Sequence, residues 1–190
     1  IGWYIDSYRC AQVSINLVNY KATALHEVFL TVKEEAEKLG LLVTGSELVG
    51  LVPLEPMLLA GRHFLKRMGK SEGASESDLV EAAVRSMGLA SVSPFDPAKK
   101  IIEYAGREPA PLASLRVADF VDEVARDSPA PGGGSVAALA GSLGAALAAM
   151  VANLTVGKKG YESSWPSLSE LAVRAQGVQA ARLRAVAADT

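Results

Sequence analysis

The chain has 190 residues, a formal charge of −2, and a composition of 49% hydrophobic and 21% charged residues. This length suits one large domain or two small ones, and the apolar fraction excludes a disordered protein. The near-neutral charge and the aromatic content of 6% argue against a nucleic-acid partner, which requires excess positive charge and stacking side chains. The single cysteine, Cys10, and the two histidines predict no disulfide and no metal site, and they indicate a cytoplasmic protein.

The two ends of the sequence have the character of internal segments. Ile1 begins a strand-like run without a signal-peptide pattern, and the last residues continue a helical pattern without a stop signal. We therefore interpret the chain as an internal piece of a larger protein.

Residues 1–104 have the pattern of an α+β two-layer sandwich. Strands are predicted over residues 2–5 and 11–17, and the second alternates polar with apolar side chains. A helix is predicted to be capped by Thr23 and to end at Gly40. The remaining predicted elements are a third strand, two amphipathic helices and the flexible loop between them: residues 41–49, 54–68, 78–87 and 69–77.

Residues 105–113 contain two prolines and a glycine, a composition typical of a linker. Residues 114–190 are alanine-rich and predict an all-α helical domain. Its three helices are predicted to be a short one capped by Ser114, a long one from Ser135 to about residue 156, and one from Pro166 onward. The inner stripe predicted for the third helix consists of Leu168, Leu171, Ala175 and Val178.

The long predicted helix and its flanks, residues 128–157, carry no charged side chain. Small residues repeat along it at four-residue spacing, which lets two helix backbones approach closely: Ala137, Gly141, Ala145 and Ala149. We expect this face to be buried in a helical bundle or a dimer. The alternative is a membrane-spanning helix, which the high content of alanine and glycine disfavours.

Two segments beside this helix are candidates for binding an anion. The glycines that precede it allow close backbone approach, and a helix start supplies free N–H groups and a positive dipole: Gly132, Gly133, Gly134 and Ser135. Their spacing resembles a dinucleotide-binding motif, but a helix rather than a strand precedes them, which argues against that motif. Lys158 and Lys159 form a basic pair at the other end. The alternatives are a tight turn at the glycines and a favourable cation position at the helix end.

Other polar residues carry weaker signals. Gln12, Ser14 and Asn16 lie on one face of a predicted strand, where they form either a solvated face or a wall for a polar ligand. His26 and His63 lie beside apolar helix faces and are interpreted as structural.

Several segments of the first part resemble the C-terminal subdomain of the glutamate formimidoyltransferases: GWY at residues 2–4, AQVSINL at 11–17, TGSELVGLVPL at 44–54, PFDP at 94–97 and IIEY at 101–104. The second part resembles the start of a formimidoyltetrahydrofolate cyclodeaminase domain, in PGGGSVAALAG at 131–141, MVANLTVGKK at 150–159 and Tyr161. Their order is similar to that in the family of bifunctional formimidoyltransferase-cyclodeaminases.

The resemblance implies two linked reactions of histidine degradation. The first passes a formimidoyl group between N-formimidoyl-glutamate and tetrahydrofolate, and the second converts 5-formimidoyltetrahydrofolate to 5,10-methenyltetrahydrofolate and ammonia. Tetrahydrofolate is the implied one-carbon carrier, without a metal or a redox cofactor. The resemblance also implies a homo-oligomer formed through the helical domain, with no nucleic-acid or membrane partner.

The resemblance further implies site residues. Lys158 and Lys159, or the helix start at Ser135, would meet the carboxylates of a folate polyglutamate. The family has an acidic pair near the position of the chain's end, where Asp189 matches one member and Ala187 replaces the other. Asp189 is therefore the candidate catalytic acid or base. The remaining candidate folate-binding residues are Gly132, Gly133, Gly134, Asn153, Gln12, Ser14, Asn16 and Glu47.

Two alternative functions stay open at this point. One is a methenyltetrahydrofolate cyclohydrolase in the helical half, and the other is a non-catalytic folate-binding or assembly module. The transferase histidine of the family belongs to an N-terminal subdomain that this sequence does not contain. We therefore expect the chain alone to transfer no formimidoyl group.

Overall fold

The computed structural model describes residues 1–105 and 112–187, and the chain divides into two units, Ile1–Val43 and Thr44–Thr190. Most of the predicted linker at residues 105–113 lies outside the described residues, so a domain division at that place stays a prediction.

The first unit contains a β-hairpin and one helix. Strand β1 (Gly2–Ile5) pairs antiparallel with β2 (Cys10–Val13), and helix α1 covers Leu25–Lys38. β2 ends four residues before the predicted end of the strand. α1 begins after Ala24 rather than at the predicted cap Thr23, because the Glu27 carboxylate accepts a hydrogen bond from the Ala24 amide at 2.8 Å. Gly40, with a φ of 71°, follows its end as predicted.

The second unit begins with a helical pair. Helices α2 (Leu54–Arg67) and α3 (Glu76–Met87) bury large side chains against each other, together with Ala60, Gly61 and Ala83. The short helices α4 (Pro97–Lys100) and α5 (Ile102–Ala105) follow. Val52 and Ile101 form an isolated parallel bridge, and the Glu103 carboxylate accepts a hydrogen bond from the amide of Leu54 at 2.7 Å. These contacts fix the start of α2.

The third strand predicted over residues 41–49 is absent from the structure, so this prediction is wrong. Single hydrogen bonds hold this segment instead of a strand ladder. Ser46 donates its hydroxyl to the Met87 carbonyl at 2.7 Å, and the Lys100 ammonium donates to the Leu48 carbonyl at 3.0 Å. The first half is thus mixed α/β as predicted, but the two-stranded sheet of the described residues does not confirm a two-layer sandwich.

The rest of the second unit is helical, as predicted. It contains α6 (Val117–Val124), α7 (Gly133–Thr155), a 3-10 turn at Glu162–Ser164 and α8 (Trp165–Ala185). α6 is preceded by Arg116, whose guanidinium pairs with Asp119 at 2.7 Å, rather than being capped by Ser114. α7 starts two residues before the predicted Ser135, because the glycines join its first turn. At one end, Phe120, Ala138 and Val186 form a small core.

Helices α7 and α8 pack as an antiparallel pair through small residues: Ala138, Ser142, Ala149, Ala152, Ala172 and Ala175. In the predicted stripe of α7, Ala149 is buried and Ala145 is half-buried, whereas Ala137 and Gly141 are exposed in the single chain. A four-residue spacing drifts by about 40° per step around a helix of 3.6 residues per turn, so it leaves the contact face. Burial of this first half in a dimer stays a prediction. In α8, Leu171 and Val178 are exposed, and Ala172 and Ala175 face α7.

The opposite face of α7 carries exposed large apolar side chains: Val136, Leu143, Leu147 and Val151. Among the described residues, α7 is the helix that is long and apolar enough to cross a membrane by length and composition. This face is called the outer face of α7 below.

Candidate functional site

A cleft of about 780 Å³ lies between three elements: the loop that joins α2 to α3, the C-terminal half of α7, and helix α8. Its apolar wall includes Leu65, Met150 and Leu154. Its polar side chains are Lys70, Ser71, Ser75, Asp78, Asn153, Lys158 and Gln176. The cleft therefore combines an apolar surface with charged and hydrogen-bonding groups, which is the usual makeup of a small-molecule site.

The charged groups of the cleft differ in their pairing. Asp78 accepts a hydrogen bond from the Ser75 hydroxyl at 2.7 Å, and the Ser75 oxygen accepts one from the Asp78 amide at 3.2 Å. This arrangement caps α3. Lys70 and Lys158 are exposed, and neither forms an ion pair with a residue that the structure describes. The two ammonium groups are therefore available to a carboxylate or phosphate.

Asn153 forms part of the cleft wall. Its side-chain amide donates a hydrogen bond to the Gly73 carbonyl at 2.8 Å. Its side-chain oxygen is buried and has no hydrogen-bond partner among the described residues. A buried acceptor without a partner carries an energetic cost, which a donor group on a ligand would offset.

The loop after α7 holds the two predicted lysines. Gly157 and Gly160 adopt left-handed backbone conformations, with φ values of 88° and 93°. The Glu162 carboxylate accepts hydrogen bonds from the Gly160 amide at 2.9 and 3.0 Å, which lowers the pKa of Glu162; its own amide contributes as well. Lys158 lines the cleft, whereas Lys159 is exposed outside it.

The predicted glycine-rich site lies at the other end of α7. The helix rises about 1.5 Å per residue, so Gly133 and Asn153 lie about 30 Å apart along it. Gly132, Gly133 and Gly134 form the cap and the first turn. Ser135 is fully buried, and its hydroxyl has no hydrogen-bond partner within the described part of the chain. The structure therefore does not bring these residues together with Lys158, and Ser135 has no surface open to solvent.

The other predicted site residues are dispersed. Gln12 is half-buried in β2, and Ser14 and Asn16 are exposed beyond its end, all in the first unit. Glu47 is exposed in the second unit. Asp189 lies outside the described residues. Of all the predicted site residues, the structure thus places Asn153 and Lys158 in the cleft.

Neither histidine lies in the cleft. His63 contacts the ring of Phe64 edge-on, with a centroid distance of 5.4 Å, and His26 is half-buried in α1. Within the described ranges, no group of three or more His, Cys, Asp or Glu side chains is placed to hold a metal ion.

Sequence reasoning missed five of the polar residues in the cleft: Lys70, Ser71, Ser75, Asp78 and Gln176. Lys70 and Ser75 belong to the stretch that its composition marked as a flexible loop. The Ser75–Asp78 spacing is a recognisable helix-capping signal. No signal in one sequence indicates that this loop meets α7.

Comparison with known families gives this two-part arrangement its context. The model of the "Formiminotransferase domain" family matches residues 1–106, and that of the "Formiminotransferase-cyclodeaminase" family matches residues 116–190. The first model covers more than half of the chain. The chain belongs to the formiminotransferase domain family through its first part, and its second part matches the formiminotransferase-cyclodeaminase family, as the resemblance predicted.

Individual relatives agree with this membership. The chain is 43% identical over 175 residues to a formimidoyltransferase-cyclodeaminase of Dictyostelium discoideum, covering 90% of this chain and 32% of the relative. It is 44% identical over 165 residues to that of Mus musculus, covering 85% and 30%. It is also 43% identical over 60 residues to a methenyltetrahydrofolate cyclohydrolase of Methylorubrum extorquens, covering 32% and 29%. The chain spans about a third of the length of the curated relatives it matches.

Proposed function

We propose that this chain forms part of a folate-dependent bifunctional enzyme of histidine degradation, located in the cytoplasm. Its two activities are formimidoyl transfer between N-formimidoyl-glutamate and tetrahydrofolate, and cyclodeamination of 5-formimidoyltetrahydrofolate. The names of the relatives support this proposal. The observation that carries it is the cleft, whose walls come from both family-matched parts of the chain.

The cleft has the chemistry to hold a folate. Folate combines a flat ring system with one or more glutamate carboxylates. Leu65, Met150 and Leu154 offer an apolar wall to the ring, and the buried oxygen of Asn153 offers an acceptor to its N–H groups. Lys70 and Lys158 offer cations to the carboxylates of a polyglutamate tail.

The second reaction requires one proton acceptor and one leaving group. With the formimidoyl group protonated, its nitrogen already carries two hydrogens. N10 of the folate forms a bond to the formimidoyl carbon and loses its proton, and the departing nitrogen takes up a proton. The bond from the carbon to this nitrogen then breaks as ammonia leaves, and the N5 lone pair forms the new double bond to the carbon. A carboxylate is suited to accept the proton from N10 and to return it to the departing nitrogen. Asp189 is our candidate for this role.

The test compares the affinity of the chain for tetrahydrofolate mono- and pentaglutamate by titration calorimetry. We expect Lys158→Ala to weaken pentaglutamate binding about tenfold, because one charge-assisted contact is worth roughly 1.4 kcal/mol. Monoglutamate binding should change less. Lys99→Ala is the matched control, since Lys99 is exposed outside the cleft. Equal pentaglutamate affinity for Lys158→Ala and wild type would refute the cleft assignment.

A methenyltetrahydrofolate cyclohydrolase is the second candidate, because a protein of that name matches part of the chain. Ammonia release from 5-formimidoyltetrahydrofolate supports the cyclodeaminase. Hydrolysis of 5,10-methenyltetrahydrofolate without ammonia release supports the cyclohydrolase. Folate binding without either reaction indicates a binding module. We expect no formimidoyl transfer by the chain alone.

The proposal includes a homo-oligomer formed through the helical part and a two-layer sandwich in the first part. The outer face of α7 supports the oligomer, because apolar side chains at this spacing form a continuous stripe. In analytical ultracentrifugation, Leu147→Lys should shift the chain toward monomer. Leu171→Lys is the matched control on α8, where Leu171 is 40% exposed. An unchanged sedimentation coefficient for Leu147→Lys would rule out this face.

A further inference from the structure

Gly73, in the loop between α2 and α3, lies against the backbone of α8. A Cβ atom added at Gly73 would lie 2.3 Å from the Cβ of Ala172 and 2.7 Å from the Val173 nitrogen. Real Cβ atoms do not approach other heavy atoms this closely, and the neighbour is largely helix backbone that cannot rotate away. Gly73 itself is buried. Glycine therefore fits at residue 73, where a side chain would collide with α8.

Hydrogen bonds hold the same loop on both helices. The Asn153 amide of α7 donates to the Gly73 carbonyl at 2.8 Å, and the Glu72 amide donates to the Ser169 hydroxyl of α8 at 3.1 Å. Within the loop, the Gly73 amide donates to the Ser71 hydroxyl at 3.2 Å. Successive residues are thus fixed to two helices, which is unlike a solvated connecting loop.

The partners in this contact belong to different family matches. Residues 71–74 lie in the part that matches the formiminotransferase domain, and α7 and α8 lie in the part that matches the cyclodeaminase. We propose that residues 71–74, named the Gly73 joint, are a dedicated interdomain docking segment. Its receptor is the groove formed by Asn153, Ser169 and Ala172. The joint couples the conformation of the two parts.

The joint also shapes the cleft. Ser71 and Ala74 line the cleft from the loop side, and Asn153 lines it from α7. The hydrogen bond between Asn153 and Gly73 therefore sets the separation of the two walls. Asn153 acts here as a positioning residue. This inference depends on packing and hydrogen bonds alone and holds whichever ligand occupies the cleft.

Hydrogen exchange on the full 190-residue chain tests the joint. Gly73→Ala should speed exchange of the Glu72 amide at least about tenfold, since relieving the clash requires the loop to leave α8. Peptides at the end of α7 and the start of α8 should lose protection at the same time. Gly177→Ala is the matched control: it makes the same substitution in α8, where a Cβ meets nothing within 4 Å.

Two milder variants cover the case in which Gly73→Ala fails to fold. Ser169→Ala and Asn153→Ala each remove one hydrogen bond from the joint, and each should speed exchange of the Glu72 amide several-fold. Asn153→Ala is the sharper test, because the Asn153 side chain bonds to Gly73 rather than to Glu72. The effect on Glu72 is therefore transmitted through Gly73. Unchanged Glu72 exchange in Asn153→Ala would overturn the proposal, whatever Ser169→Ala shows.

Discussion

The two helical pairs of the second unit are built from different side chains. α2 and α3 bury Met57, Phe64, Leu79, Val80 and Met87 in their contact. α7 and α8 bury alanine and serine in theirs, and three of the four leucines of α7 are exposed. A pair of the first kind is stabilised chiefly by removing large apolar side chains from water. A pair of the second kind depends on close approach of two backbones, as in helices with small residues at the contact.

This difference shows that burial and hydrophobicity are separable in one chain. Leu143, Leu147 and Leu154 are among the most apolar side chains of α7, and they are 59%, 59% and 66% exposed. The small side chains are buried because they permit the close approach. The large ones on the opposite face remain available for a further contact.

Large-to-small substitutions should break the first pair and spare the second. We expect Met57→Ala to lower the free energy of unfolding by about 2–5 kcal/mol, because Met57 is fully buried and a cavity remains. Leu147→Ala should change it by less than about 0.5 kcal/mol in the monomer. Urea unfolding at low protein concentration measures both. Equal losses would contradict the distinction between the pairs.

Small-to-large substitutions should break the second pair. Ala152 is fully buried against α8, so Ala152→Leu should destabilise the chain by about 1–3 kcal/mol through overpacking. Ala148→Leu, on an exposed position of the same helix, is the control with the same change in volume. Thermal unfolding followed by circular dichroism compares the two variants. If Ala152→Leu is as stable as Ala148→Leu, the contact between α7 and α8 is not close-packed.

The smallest expected effect concerns the loop that follows α7. The α2–α3 pair has no counterpart of this loop. The hydrogen bonds from the Gly160 amide hold the pKa of Glu162 below its ordinary value of 4.5. The carboxylate therefore stabilises the folded chain at neutral pH, and this contribution is lost as pH falls through the lowered pKa. Glu162→Gln should differ from wild type in urea midpoint at neutral pH and converge with it in acid. A difference independent of pH would point to a cause other than the charge.

Periodicity predicted the helices because amphipathic patterns and end signals are local. α2, α3, α6 and α7 lie within a few residues of their predicted positions, and Gly40 and Gly157 follow helix ends as expected. The prediction of a strand at residues 41–49 was wrong, because an apolar run does not specify its hydrogen-bond partners. The partners of this segment lie far away in sequence: the Met87 carbonyl accepts from Ser46, and the Lys100 ammonium donates to the Leu48 carbonyl.

The candidate site was less predictable than the fold. Asn153 and Lys158 were named from a family resemblance, and the structure places both in the cleft. Lys70 and Gln176 reach the same cleft from distant parts of the chain, which a single sequence does not reveal. The loop composition around Gly73 indicated flexibility, whereas its contacts with α7 and α8 fix it in place. Glycine there serves close packing rather than mobility.

The parallel bridge between Val52 and Ile101 has a consequence for how the chain tolerates change. The Val52 amide donates to the Lys100 carbonyl at 2.9 Å, and the Ile102 amide donates to the Val52 carbonyl at 3.0 Å. The segment that contains α2 and α3 therefore begins and ends at the same place in the structure, the bridge between Val52 and Ile101. The entropy cost of a closed segment grows only with the logarithm of its length. Residues added at the exposed turns of this segment, away from the Gly73 joint, would lengthen the segment without moving the bridge between Val52 and Ile101.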